Sequence, residues 1–152
     1  MKLYVASQNK YEAQQVAVLL TKAGHELTSN WAFSVAPFHT WALSVEERKK
    51  IAIDDIEDVK QAVDGVVLIA NEMKLCPGGK HTETGVALAL GRRVYVLGEP
   101  ENIFHWHPLV TVCTDMAALL AELQKTPAKL MWTSTSLVRK RNPVQGRKRA
   151  PK

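Results

Sequence analysis

"GVVLIANEMKLCPGGKHTETGVALALGRRVYVLG", residues 65–98, decides the fold. It opens on an unbroken apolar run, GVVLIAN (65–71), of the length and β-branched content of a strand buried on both faces. It closes on a second such run, RRVYVLG (92–98). Between them lie a Pro-Gly-Gly turn and an alanine-rich helix of about residues 82–91, stopped by Gly91. Strand, helix and strand in that order make a crossover between two parallel strands, which predicts an α/β architecture.

The rest of the chain repeats the alternation. KLYVA (2–6) is a short apolar run ending at Ser7, followed by a helix over 10–24 with Val16, Leu19 and Leu20 on one face and Gly24 as its stop. HELTSNW (25–31) reads as a second strand, and the aromatic-rich residues 32–45, without a clean period, as a long loop. Ser44 followed by Glu47 is a capping box that opens a helix running to about Asp64. LVTVC (109–113) is a fifth strand and DMAALLAELQK (115–125) a closing helix. The expectation is a doubly wound, five-stranded parallel sheet of order 2-1-3-4-5, Rossmann- or flavodoxin-like, with helices on both faces. Ligands of such sheets sit beyond the carboxyl ends of the strands, here Ser7–Asn9, Trp31, Asn71–Gly79 and Gly98–Asn102.

Composition narrows the class. The chain has 152 residues, 46% of them apolar, which suits one domain with a single core, expected over residues 1–126. No apolar run approaches the ~18 residues of a membrane helix. The start, MKLYVASQNK, enters a strand pattern rather than a signal peptide's apolar stretch, and two cysteines make no disulfide framework, so a cytoplasmic, reduced protein is expected. The net charge of +5 belongs to the C-terminus: residues 139–152 hold seven Lys/Arg and no acid, leaving the rest slightly acidic. Residues 127–152 read as a basic, disordered tail, either solubilising or loosely attracted to nucleic acid or another polyanion. No Cys/His cluster has zinc spacing, and His105 with His107 alone is not a metal site.

The turn before the helix of the quoted stretch poses the functional question. A glycine-rich turn running into a helix is a phosphate cradle, and Gly78 and Gly79 let backbone N–H groups approach a ligand. A carboxylate in the first helical turn, Glu83, is not what a phosphate wants. Either it complements the helix dipole or it serves a reaction. Tyr4, in the neighbouring first strand, has a hydroxyl able to reach a carboxylate above the sheet.

LYVAS (3–7), DDIEDVKQAVDGVVLIA (54–70) and GGKHTETGVALALGRRVYVLG (78–98) together resemble the nucleoside 2-deoxyribosyltransferase-like family, which includes deoxynucleoside 5'-monophosphate N-glycosidases. The resemblance spans roughly residues 2–125. Its most specific piece is Glu-x-Gly-x-Ala, here Glu83, Gly85 and Ala87, followed by Gly91 and a strand. It implies Glu83 as the nucleophile on the anomeric carbon, Tyr4 as its hydrogen-bond partner and Asp55 as a nucleoside contact, with Asp54 the alternative. It further implies a nucleoside or nucleotide substrate, assembly as a homodimer or larger, and neither metal nor organic cofactor. The family's transferases carry an acid shortly before the glutamate, where this chain has Pro77, which favours hydrolysis over base transfer and keeps a non-catalytic nucleotide-binding module as the rival. PGGKHTE (77–83) also resembles the motif of cytokinin-activating ribosyl-monophosphate hydrolases, with His81 in place of a glycine.

Other residues carry two readings each. Trp31 either stacks a base or plugs the edge of the core. Ser7 and Asn9 either bind phosphate or sugar hydroxyls or cap the following helix. His81 either faces the ligand or is solvated, and Lys80 either pairs with a phosphate or is exposed. The stretch ENIFHWHP (101–108), with Phe38 and Trp41, suits a lid or a contact with a partner subunit. Cys76 has no histidine in motif spacing and is not expected to act as a nucleophile.

Overall fold

The computed structural model describes residues 1–34, 42–70 and 78–125. The expectations for Phe38, Trp41, Cys76, Pro77 and the basic tail lie outside these residues. The elements run β1 (Lys2–Ala6), α1 (Lys10–Lys22), β2 (Glu26–Leu27), α2 (Val45–Gln61), β3 (Gly65–Ile69), α3 (Gly79–Ala89), β4 (Val94–Leu97), β5 (Val110–Cys113) and α4 (Met116–Lys125). All strand pairs are parallel, in the order β2-β1-β3-β4-β5. The expected doubly wound sheet is therefore the observed one.

Alternation along the strands splits the core in two. Leu3, Val5, Val67, Ile69 and Tyr95 point to one face, where they meet Ala13, Val16 and Leu20 of α1 and Leu119 and Leu123 of α4. Tyr4, Ala6, Val66, Leu68, Val94 and Val96 point to the other, against Val59 of α2 and Ala87 of α3. Tyr4 is thus delivered to the face that carries α2 and α3 by the period-two geometry of β1. Two glycines bracket β3 and β4. A Cβ at Gly65 (φ +149°) would lie 2.7 Å from the Arg93 carbonyl oxygen, and one at Gly98 (φ +112°) 2.6 Å from that of Ala70. Only glycine allows so close an approach with that backbone. Among the described residues, no helix is long and apolar enough to cross a membrane.

Three sequence expectations need correction. β2 is two residues long rather than the seven of 25–31, and Asn30–Phe33 forms a 3-10 turn. Side chains replace the missing ladder. The Val5 N–H donates to Ser29 Oγ at 3.2 Å, and Trp31 Nε1 donates to the Val5 carbonyl at 3.0 Å. The turn is also tied to α2, because Asp58 accepts from the Asn30 N–H and side-chain amide at 3.0–3.1 Å. With its backbone groups satisfied this way, the chain need not continue as a strand. Second, α3 begins at Gly79, three residues before the expected start, with Gly78 as a left-handed N-cap (φ 92°). Third, Glu83 consequently lies in the second turn of α3, and the first turn contains no acid. The capping box of α2 forms as expected, Glu47 N–H to Ser44 Oγ at 3.2 Å and Ser44 N–H to Glu47 Oε2 at 2.7 Å.

Candidate active site

From the middle of β1, on the face covered by α3, the Tyr4 hydroxyl donates to Glu83 Oε1 at 2.8 Å. These residues are 79 apart in sequence, and the crossover topology alone brings them together. Tyr4 is fully buried, so its hydroxyl has a fixed direction. The other carboxylate oxygen, Glu83 Oε2, is buried and has no hydrogen-bond partner among the described residues. A carboxylate with one oxygen anchored and the other unpartnered is arranged to react or to bind through the second.

Burial, partly offset by the Tyr4 hydrogen bond and reinforced by the charge of Asp55, pushes the Glu83 carboxyl up to about 7. The helix dipole does not set the charge state of Glu83. One turn further into α3 the dipole's influence has largely faded, and desolvation sets the charge state. Tyr4 is held well above its ordinary range by burial and by the charges of Glu83 and Asp55, so it remains a hydrogen-bond donor at any working pH.

Asp55 lies on α2, part-buried, near enough for its charge to raise both Tyr4 and Glu83. Its own carboxyl is pushed up to about 6, first by burial and then by Asp58 and Asp54. Asp54, the alternative left open by spacing, is exposed and pairs with Lys50. Of the two adjacent aspartates, Asp55 is the one whose charge bears on Tyr4 and Glu83.

The remaining candidates divide. Asn9 caps α1, its Oδ1 accepting from the N–H groups of Tyr11 and Glu12 at 3.0 and 3.3 Å, and Ser7 Oγ accepts from the Asn9 N–H at 3.0 Å. Asn9 is engaged as the cap, and Ser7 holds the backbone of that capping residue. Trp31 packs against both core clusters and donates to Val5, which is the core-edge reading. No described atom lies within 4 Å of a Cβ built on Gly78 or Gly79, so the turn has open space beside it. Lys80 is neither exposed nor free. Its side chain is 0% exposed and bonds Glu101 at 2.7 Å and the Ile69 carbonyl at 3.3 Å.

His81 is part-buried and belongs to a group that sequence spacing did not reveal, with Glu101, Asn102 and His105 from the segment after β4. The ligating atoms of His81, Glu101 and His105 lie within 4.8 Å of one another, so a metal centre is worth testing. The surrounding hydrogen bonds argue against one. Asn102 Oδ1 accepts from the Phe104 N–H, which turns its amide nitrogen toward His81 Nδ1 at 3.2 Å. The Glu101 N–H donates to His105 Nδ1 at 3.0 Å. Both rings accept through Nδ1 and carry their proton on Nε2, whereas a ligating histidine donates through its second nitrogen. Glu101 is also already bound to the Lys80 ammonium. The group ties the first turn of α3 to the segment after β4.

No protein-family model matches the sequence, and comparison with curated proteins finds no match. Among solved structures, the chain is similar to that of the Clostridium botulinum CMP N-glycosidase BcmB, at 16% identity and a TM-score of 0.52, over 82% of this chain and 99% of that one. The likeness is one of fold: both chains share the Rossmann-like sheet, on one face of which Tyr4 of β1 here meets Glu83 of α3.

Proposed function

We propose that this chain cleaves the N-glycosidic bond of a 2'-deoxynucleoside or its 5'-monophosphate, with Glu83 as nucleophile, Tyr4 holding it and Asp55 binding the nucleoside. The observation that carries the reading is the Glu83 carboxylate, anchored at 2.8 Å through one oxygen and, among the described residues, unpartnered at the other. In the reaction Oε2 bonds to the anomeric carbon as the C–N bond breaks, and the base leaves with that electron pair and takes up a proton. Water then attacks the glycosyl ester and returns the carboxylate, releasing the free sugar or sugar phosphate. Asp55, poised near 6, is suited to exchange a proton or to bind a sugar hydroxyl. The open turn at Gly78 and Gly79 is the place for the sugar or its phosphate. Hydrolysis is favoured over base exchange because Pro77 stands where the transferases have an acid.

One observation favours a second substrate. The similar structure is described as a CMP N-glycosidase, so a ribonucleoside 5'-monophosphate belongs in the same assay. The test is incubation with each nucleoside and 5'-monophosphate in both sugar series, with and without excess free base, following released base and exchanged product. Glu83→Gln should abolish release by several orders of magnitude. Exchange outrunning hydrolysis would reverse the preference for hydrolysis. Turnover by Glu83→Gln equal to wild type would remove Glu83 from the mechanism, and no product from any substrate would leave a binding module.

A further inference from the structure

Carboxylates from two helices gather about the Tyr4 hydroxyl. Asp55 and Asp58 share one face of α2, and Glu83 comes from α3. Asp58 is buried, and both its oxygens accept from Asn30 at 3.0–3.1 Å, which is the bonding of an ionised carboxylate held by neutral donors. The charges that act on Tyr4, Asp55 and Glu83 come from Asp54, Asp55, Asp58 and Glu83, acids throughout. The cations of the same helices are bound elsewhere: Arg48 to the Leu43 carbonyl, and Lys49, Lys50, Lys60 and Lys80 to Glu46, Asp54, Glu57 and Glu101. Glu83 Oε2 is buried among these acids and, among the described residues, unpartnered. A pocket lined by one sign of charge is built to receive the other.

A metal ion would need ligand atoms that converge. Among the described residues, the group of three whose ligand atoms lie within 4.8 Å of one another is His81, Glu101 and His105, not these carboxylates. Spread carboxylates suit a cation of molecular size, its charge delocalised over a ring. We propose that the substrate of this site is a nucleoside whose base is already cationic, an N-alkylated purine or a pyridinium. This rests on the N-glycosidase reading and narrows its substrate.

The chemistry agrees with the electrostatics. A neutral base must gain a proton as it leaves, and the buried Tyr4 hydroxyl, held well above its ordinary range, does not supply one. A cationic base needs none. Glu83 Oε2 bonds to the anomeric carbon, the C–N bond breaks, and its electron pair stays on the ring nitrogen and cancels the positive charge. Water then cleaves the glycosyl ester, giving the free sugar, the restored carboxylate and one proton. The general acid that a neutral base requires, worth ~10²–10⁴-fold, is dispensable for this substrate.

Two pairs of probes separate charge from shape: 7-methylguanosine with guanosine, and nicotinamide riboside with its uncharged dihydro form. Released base is followed between pH 6 and 7, where Asp55 and Glu83 both titrate, with the spontaneous rate in the same buffer subtracted. The readout is KM, or the inhibition constant where a neutral member is not turned over, because the intrinsic lability of cationic nucleosides enters kcat. The cationic member of each pair should have a value at least ~10-fold lower, the effect of relieving about one pH unit of the raised carboxyls. Asp58→Asn, which keeps an oxygen for Asn30, should narrow that gap at least ~3-fold, with circular dichroism reporting the fold. Binding of the cationic probe to Glu83→Gln should release protons from Asp55, a reading that needs no change at Asp58. Glu83-dependent cleavage confined to neutral nucleosides or nucleotides, or a neutral member that binds as tightly as its cationic partner, would overturn this inference and leave the N-glycosidase reading standing. So would a gap that a folded Asp58→Asn leaves unchanged. Release of base from no substrate of either charge, or equally by wild type and Glu83→Gln, would remove the reading and this inference together.

Discussion

Replacing Glu83 by Gln should make the protein more stable at neutral pH while destroying the proposed reaction, and the gain should depend on pH in a defined way. The Glu83 carboxyl is raised from 4.5 to about 7, chiefly by burial. Between those values the folded state holds a proton that the unfolded state has lost, so stability falls as pH rises. The loss begins near pH 4.5 and is complete above about 7. At ~1.4 kcal/mol for each pH unit separating the folded and unfolded carboxyl, it amounts to about 3 kcal/mol. Glutamine does not titrate and still offers an oxygen to Tyr4. Its amide group occupies the buried place of Oε2, a cost of about 1–3 kcal/mol that is the same at every pH. The robust quantity is therefore the change in the mutant-minus-wild-type difference between pH 4 and pH 8, which should favour the mutant by about 3 kcal/mol. Asp55, raised in the same direction, titrates in both proteins and largely cancels. Urea unfolding at half-unit steps from pH 4 to pH 8 measures this directly. Parallel stability curves for the two proteins would refute the desolvated carboxylate.

Tyr4→Phe removes the hydrogen bond that, among the described residues, holds the Glu83 carboxyl down, so the acid limb of kcat/KM should move up by about one to two pH units, from the ~1.5–3 kcal/mol of a hydrogen bond to a charged group. A limb that stays in place would show that Glu83 is not the group titrating. Glu101→Gln breaks the ion pair with Lys80, whose side chain is 0% exposed, and should cost about 3 kcal/mol in denaturant unfolding, the low end for a broken buried pair because Glu101 is partly solvated. A cost below ~1 kcal/mol would place the pair among surface bridges. Gly98→Ala forces a Cβ to within 2.6 Å of the Ala70 carbonyl at φ +112° and should destabilise by at least ~1–3 kcal/mol, read as a lower denaturation midpoint.

The alternation of apolar strands and helices was enough to specify the sheet and its order, because strands buried on both faces leave an unmistakable apolar run and parallel pairing demands crossovers. Local capping was legible for the same reason: Ser44 and Glu47 meet within one turn of chain. Glu83 and Tyr4 could be singled out through a resemblance, but their 2.8 Å contact needed β1 and α3 folded against each other. What the sequence could not determine is whatever depends on partners distant in the chain. It could not show that Ser29 and Trp31 stand in for the rest of β2, since that requires the turn to lie against Val5. It could not show that Lys80 is buried against Glu101, or that His81 meets Asn102, because the segment after β4 reaches α3 only in three dimensions. The protonation of Glu83 belongs to the same class. A carboxylate at a helix start reads as ionised from its neighbours in sequence. The helix starts at Gly79, which puts Glu83 in the second turn, and tertiary packing buries it there, so desolvation outweighs a few tenths of a kcal/mol of dipole.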